Sequence, residues 1–191
     1  MNICVYGASS DKIDESYLKS GESFGKKLAK SGHTLIFGGG ACGMMGAFAR
    51  GFYEEKGEII GIVPEFLNVD GILFDHCTKM LYTKTMRERK QLLESSSDAF
   101  IVSPGGIGTY DEFFEILTLK QLCRHDKPIA IFNVNGYFDS LSSMLKRAVD
   151  DKFMTQNNTS LFFLSDREDD IIDYFNNYRK KDNKPENFKD I

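Results

Sequence analysis

Tryptophan is absent from this chain, and cysteine, histidine and proline are scarce: four, three and four among 191 residues. Cys4, Cys42, Cys77 and Cys123 show neither CxxC nor metal-ligand spacing. That excludes a dithiol redox motif and a zinc cluster, and the four read as reduced thiols in an intracellular protein. His33, His76 and His125 are scattered and suggest no metal site. An excess of positive charge is also missing. The net charge of −4 argues against broad nucleic-acid binding, so any anion site must be made locally. No apolar run approaches the length that spans a bilayer. The opening Met-Asn-Ile-Cys-Val-Tyr-Gly reads as a strand, with no basic segment and apolar stretch of a leader before it. The expectation is a cytoplasmic protein with neither nucleic acid nor membrane as partner.

What is present is an ordinary globular composition, 41% hydrophobic and 27% charged. The length allows one domain with a sizeable core. No linker, repeat or low-complexity segment interrupts it. A single nucleotide-binding domain is expected over residues 1–179. Residues 180–191 form a polar, proline-interrupted tail expected to fray.

Strand and helix patterns alternate along the chain. Strands are expected at 2–6, 34–37, 58–63, 79–82, 99–102, 128–132 and 161–164. Helices are expected at 16–31, 44–56, about 85–95, 108–122, 138–152 and 166–177. Gly32 marks a helix C-terminus, and Thr85 with Glu88 forms a capping box. Strict alternation predicts an α/β, Rossmann-like doubly wound parallel sheet with helices on both faces. In such sheets ligands bind beyond the carboxyl ends of the strands. The glycine-rich turns after the first, second and fifth strands all fall at that edge.

The most informative stretch is Pro104-Gly105-Gly106-Ile107-Gly108-Thr109-Tyr110-Asp111-Glu112. It links a buried strand to an amphipathic helix. Its backbone N–H groups stand at the positive end of the helix dipole, a ready site for a phosphate. Glu112 follows one turn into the helix. Acidic residues there also serve as plain helix stabilisers, and Asp111 and Glu115 fit that part. The fixed offset of Glu112 from the turn aims it at whatever the turn holds. Met86-Arg87-Glu88-Arg89-Lys90 places three cations at a helix start, where the dipole already favours anions. A nearby functional anion would explain them; a solvated helix face is the alternative. The turn from Gly38 to Gly43, including Gly39, fits G-x-G-x-x-G, a weak dinucleotide signal that follows the wrong strand. A tight packing turn is the alternative there.

These residues resemble the LONELY GUY family, the cytokinin riboside 5′-monophosphate phosphoribohydrolases. Residues 104–112 match its PGGxGTxxE motif, and Arg89 and Lys90 match its M-x-x-R-K segment. The similarity continues through Gly38-Gly39-Gly40, Gly43-Met44-Met45-Gly46, Ile62-Val63-Pro64, His125-Asp126-Lys127-Pro128 and residues 133–138 and 148–153, to about Leu164. Some relatives carry an old lysine decarboxylase label, but no cofactor-anchoring lysine motif is visible. The resemblance implies hydrolysis of the N-glycosidic bond of a nucleoside 5′-monophosphate, giving free base and ribose 5-phosphate. The base would be an N6-prenylated adenine, with AMP the alternative substrate. Glu112 would face the oxocarbenium-like transition state and activate water, and Arg89 would neutralise charge on the departing base or the phosphate. Lys90 would support Arg89. Gly105, Gly106, Ile107, Gly108 and Thr109 would hold the phosphate. Thr118, Ser9, Gly39 and Gly43 would complete the substrate site. The resemblance implies a homodimer with sites near the subunit interface, and neither metal nor cofactor.

Two positions depart from the family pattern. The histidine often found in its M-H-x-R-K segment is Arg87 here, and a substrate-contacting glutamate aligns with Gly71, where Asp70 or Asp75 would replace it. Two other readings stay open: a non-catalytic carrier of nucleotide or molybdenum cofactor, and an NAD-binding oxidoreductase built on the Gly38 turn.

Overall fold

Seven short apolar segments pair side by side in a computed structural model that describes residues 1–69 and 71–180. The strands are β1 (Asn2–Tyr6), β2 (Thr34–Phe37), β3 (Glu58–Pro64), β4 (Lys79–Thr83), β5 (Ala99–Val102), β6 (Ile129–Phe132) and β7 (Phe163–Ser165). The helices are α1 (Glu15–Lys30), α2 (Gly43–Glu54), α3 (Met86–Ser95), α4 (Ile107–Gln121), α5 (Asp139–Asp150) and α6 (Glu168–Asn177). Every strand pair is parallel, in the order β4-β3-β2-β1-β5-β6-β7. β5 and β6 are buried at every position, which is why they read as unbroken apolar runs rather than alternating ones.

Alternate side chains of each strand serve opposite layers. Ile3 and Val5 of β1 pack under α1, α2 and α6, through Phe24, Leu28, Phe48, Phe52 and Phe175. Cys4 and Tyr6 of the same strand face α3, α4 and α5, through Leu93, Phe113, Ile116, Phe138 and Leu145. Each fully buried phenyl ring contributes about 2–3 kcal/mol through removal from water. The sequence-predicted elements are all present, with ends shifted by one or two residues, and the tail expected at 180–191 lies outside the described residues from 181 on.

Among the described residues the alternation breaks once. Between β3 and β4 the chain makes only a 3-10 turn, Glu65–Leu67, and an irregular loop. Pro64, Asn68 and Gly71, the last at φ +80°, resist a helix there. The loop is tied to the second glycine-rich turn: Ala41 N–H donates to the Ile72 carbonyl at 2.9 Å, and Phe74 N–H to the Gly39 carbonyl at 2.9 Å.

The chain winds outward from β1 to β4, then returns to the middle and winds the other way from β5 to β7. The reversal lies between β1 and β5. Adjacent crossovers there leave on opposite faces, so a crevice opens at the carboxyl ends of these two strands. The turn after β5 and the loop after β1 meet at that point, where Ala8 N–H donates to the Pro104 carbonyl at 2.9 Å.

Candidate active site

α4 begins at the crevice with nothing of its own to cap it. Its N-cap is Gly106, no side chain accepts from its first turn, and no acidic residue stands in that turn. The N–H groups of Ile107, Gly108 and Thr109 have no partner among the described residues. The other helices around the crevice differ. Asp14 accepts from Ser16 N–H at the start of α1, at 2.9 Å. Asp11 accepts from Gly43 N–H at the start of α2, at 2.7 Å. Thr85 and Glu88 close a full capping box on α3. Of these four helix starts, that of α4 is left with open donors and a positive dipole end, the arrangement that holds an anion.

The turn itself is rigidly backed. Tyr137 Oη donates to the Gly105 carbonyl at 2.7 Å. Thr109 is buried, with its Oγ1 beneath Gly105. Gly106, Ile107 and Gly108 are exposed, and Ile107 projects its whole side chain into solvent at 89% exposure. Ser9 lies exposed on the facing loop.

Beside this turn stand Arg89 and Glu112. Arg89 projects from the first turn of α3 and Glu112 from the second turn of α4. Arg89 Nη1 donates to Glu112 Oε1 at 3.0 Å, and Arg89 Nε donates to the Ile62 carbonyl at 3.2 Å. Both side chains are nearly buried, about 10% and 12% exposed. Burial pushes the Glu112 carboxyl up to about 6, against the opposing pull of the Arg89 guanidinium. A buried carboxylate, its ionised form favoured chiefly by one fixed cation, can face a developing positive charge. A cavity of about 370 Å³ between α3 and α4 reaches Glu112 and is bounded by Tyr6, Arg87, Lys90, Glu115 and Leu119. Residues 104–109 do not line it.

Lys90 takes a different direction from Arg89. Its Nζ pairs with Glu115 at 2.7 Å and Asp111 at 3.1 Å, on the outer side of α4. Thr118 is exposed, about 16 Å along α4 from Ile107 at the usual helical rise. Gly39 and Gly43 are engaged within the protein, Gly39 through Phe74 and Gly43 through Asp11. Asp75 is exposed on the β3–β4 loop and lines a separate cavity of about 290 Å³ with Asn68, Gly71 and Tyr82, while Asp70 lies outside the described residues. Among the described residues no group of three or more His, Cys, Asp or Glu is placed to hold a metal ion, and no helix is long and apolar enough to cross a membrane.

Comparison with known proteins fits this geometry. A family model described as "Possible lysine decarboxylase" matches residues 45–175. A cytokinin riboside 5′-monophosphate phosphoribohydrolase of Arabidopsis thaliana is 35% identical over 153 residues, covering 80% of this chain and 71% of its own. A second from the same plant is 30% identical over 177 residues, covering 93% of this chain and 78% of its own. The chain belongs to the LONELY GUY family. The LONELY GUY fold extends to more distant proteins. The molybdenum cofactor binding protein of Rippkaea orientalis superposes with a TM-score of 0.69 at 21% identity, over 92% of this chain and 94% of that one.

Three parts of this LONELY GUY site escape a sequence reading. Gly38 is one: a Cβ there would overlap Arg89 Nη2. Its place in a glycine triplet signals a turn, not a seat for a guanidinium. Tyr137, 32 residues from Gly105, is another. Asp11 is the third, since nothing local links it to Gly43. The Cys42 thiol and then the Gly43 N–H hold the Asp11 carboxyl below its ordinary range.

Proposed function

We propose that this chain hydrolyses the N-glycosidic bond of a nucleoside 5′-monophosphate, releasing the free base and ribose 5-phosphate. The observation that carries this reading is the uncapped start of α4 set beside the buried Arg89–Glu112 pair. The N–H groups of Ile107, Gly108 and Thr109 receive the 5′-phosphate, with Thr109 and Ser9 completing its wall. The phosphate itself is not cleaved; it anchors the ribose so that C1′ faces Glu112.

Breaking the C1′–N bond leaves positive charge on the ribose ring. The ionised Glu112 carboxylate stabilises that charge and takes a proton from the water that adds to C1′. The departing base leaves with the bonding electron pair and gains a proton from solvent, and Glu112 returns to solvent the proton it took from the water, so the sum is base plus ribose 5-phosphate from nucleotide plus water. Arg89 keeps Glu112 ionised despite its burial and neutralises charge on the departing base or the phosphate. Lys90 acts behind it by holding Asp111 and Glu115 on α4.

Adenine carrying an N6-prenyl group is the proposed base, supported by the names of the plant relatives. A homodimer is proposed as the working form. The exposed position of Thr118, far along α4 from the phosphate turn of its own chain, supports a site completed across a two-fold axis.

The test is product analysis by chromatography after incubation with isopentenyladenosine 5′-monophosphate and, separately, AMP, with Glu112→Gln as control. Free base from either substrate, absent with the variant, is the expected result and ranks the two bases. Binding of both nucleotides without release would replace the hydrolase by a non-catalytic nucleotide carrier.

A further inference from the structure

The loop after β1 lies between two helix starts. Ala8 N–H donates to the Pro104 carbonyl, just before α4, at 2.9 Å, and the Ala8 carbonyl accepts from Met45 N–H, in the first turn of α2, at 3.2 Å. Both starts therefore flank the same few residues at the crevice between β1 and β5. Both follow glycine-rich turns, and both would offer N–H groups and a positive dipole end to a phosphate. The chain treats them oppositely. It sets the Asp11 carboxylate on the first N–H group of α2, at 2.7 Å, and leaves the first turn of α4 without any acidic or capping side chain.

We propose that Asp11 is a specificity-determining residue: its fixed negative charge occupies the start of α2, confines a bound phosphate to the start of α4, and disfavours ligands with a second phosphate. This inference rests on the reading of the α4 turn as the phosphate site. A second phosphate on a ligand anchored there adds charge at the crevice, where Ala8 brings the two helix starts together. At the α2 side it finds the Gly43 donor already taken and a like charge in place. The turn from Gly38 to Gly43 has the glycine spacing of a pyrophosphate loop, yet Asp11 stands where a pyrophosphate would need its donors. A single terminal phosphate meets no such opposition. Asp11 does not touch the proposed reacting atoms, so its effect falls on which nucleotide is admitted rather than on bond cleavage.

The experiment measures calorimetric dissociation constants for AMP and ADP in the full chain carrying Glu112→Gln, which keeps AMP intact. They are measured again with Asp11→Asn or Asp11→Ser added. Asn and Ser each retain an oxygen for Gly43 N–H but remove the charge. The expected parent prefers AMP to ADP, and either added variant shrinks that preference about tenfold, mainly through tighter ADP binding. A merely structural cap would weaken both nucleotides together, so an unchanged AMP-to-ADP ratio in both variants overturns the proposal. A parent that binds neither nucleotide overturns the phosphate reading itself, and the proposal with it.

Discussion

The guanidinium of Arg89 lies in the space that a side chain at Gly38 would fill. Gly38 ends β2's run into its turn, and Arg89 reaches over the carboxyl edge of the sheet from α3 to meet it. The same guanidinium is fixed by the Ile62 carbonyl and by Glu112, so it cannot retreat without losing both hydrogen bonds. A Gly38→Ala protein should fold, because only the side-chain ends of Arg89 and Met45, and no backbone, oppose the new methyl. Its kcat on the preferred nucleotide should fall about 10- to 100-fold, as a displaced charge no longer faces the reacting centre. Steady-state kinetics with a circular dichroism control check this; parent-like kcat would show that Arg89 is not held for catalysis.

Ionisation of Glu112 sets the expected pH profile. The acid form cannot stabilise a cation, and the carboxyl titrates near 6. Turnover should therefore fall on the acid side through about that pH. Arg89 pulls this value down, so Arg89→Gln should move the acid limb upward by about one unit. Rate against pH measures both, with NMR titration of the carboxyl where the variant is too slow to follow. A limb unmoved by Arg89→Gln would mean that the pair does not govern ionisation.

Stability should move the other way. Glu112 titrates higher in the folded chain, about 6, than its ordinary 4.5. Its favourable contribution is complete below 4.5 and lost as pH rises through 6. Glu112→Gln carries no such titration. The Tm of the variant minus that of the parent should thus increase between pH 4.5 and 7, by about 2–6 °C. Scanning calorimetry at several pH values reads this directly. A difference that is flat or shrinks with pH would show that the carboxyl is not raised.

The fold was open to sequence reasoning because its signals are local. Apolar runs bounded by polar and turn-forming residues, such as Ala99–Val102 between Asp98 and Ser103-Pro104, state a buried strand without reference to anything distant. The Thr85–Glu88 capping box closes over three residues, and the structure shows both of its hydrogen bonds. The unhelical crossover after β3 is the exception, set by Pro64 and Gly71 and by the loop's bonds to the Gly39–Ala41 turn. Glu112 also stood out, since its offset from the glycine turn lies within one segment of chain.

Position alone does not separate the three cations at the start of α3; the family resemblance singled out Arg89 and Lys90, and only the tertiary structure shows what each of these two pairs with. Arg89 turns inward to Glu112, 23 positions away, while Lys90 turns to Asp111 and Glu115 on the same neighbouring helix. The sequence by itself determined the parallel sheet, glycine-rich turns gathered at its carboxyl edge and a glycine turn followed by an acid, because hydrophobic period and glycine placement act over a few residues; the place of the crevice came with the strand order. The tertiary structure alone decided which helix start stays open and which is closed by Asp11, and which cation pairs with the acid. Those choices depend on charges and donors from distant segments meeting at one edge, and no local pattern records such a meeting.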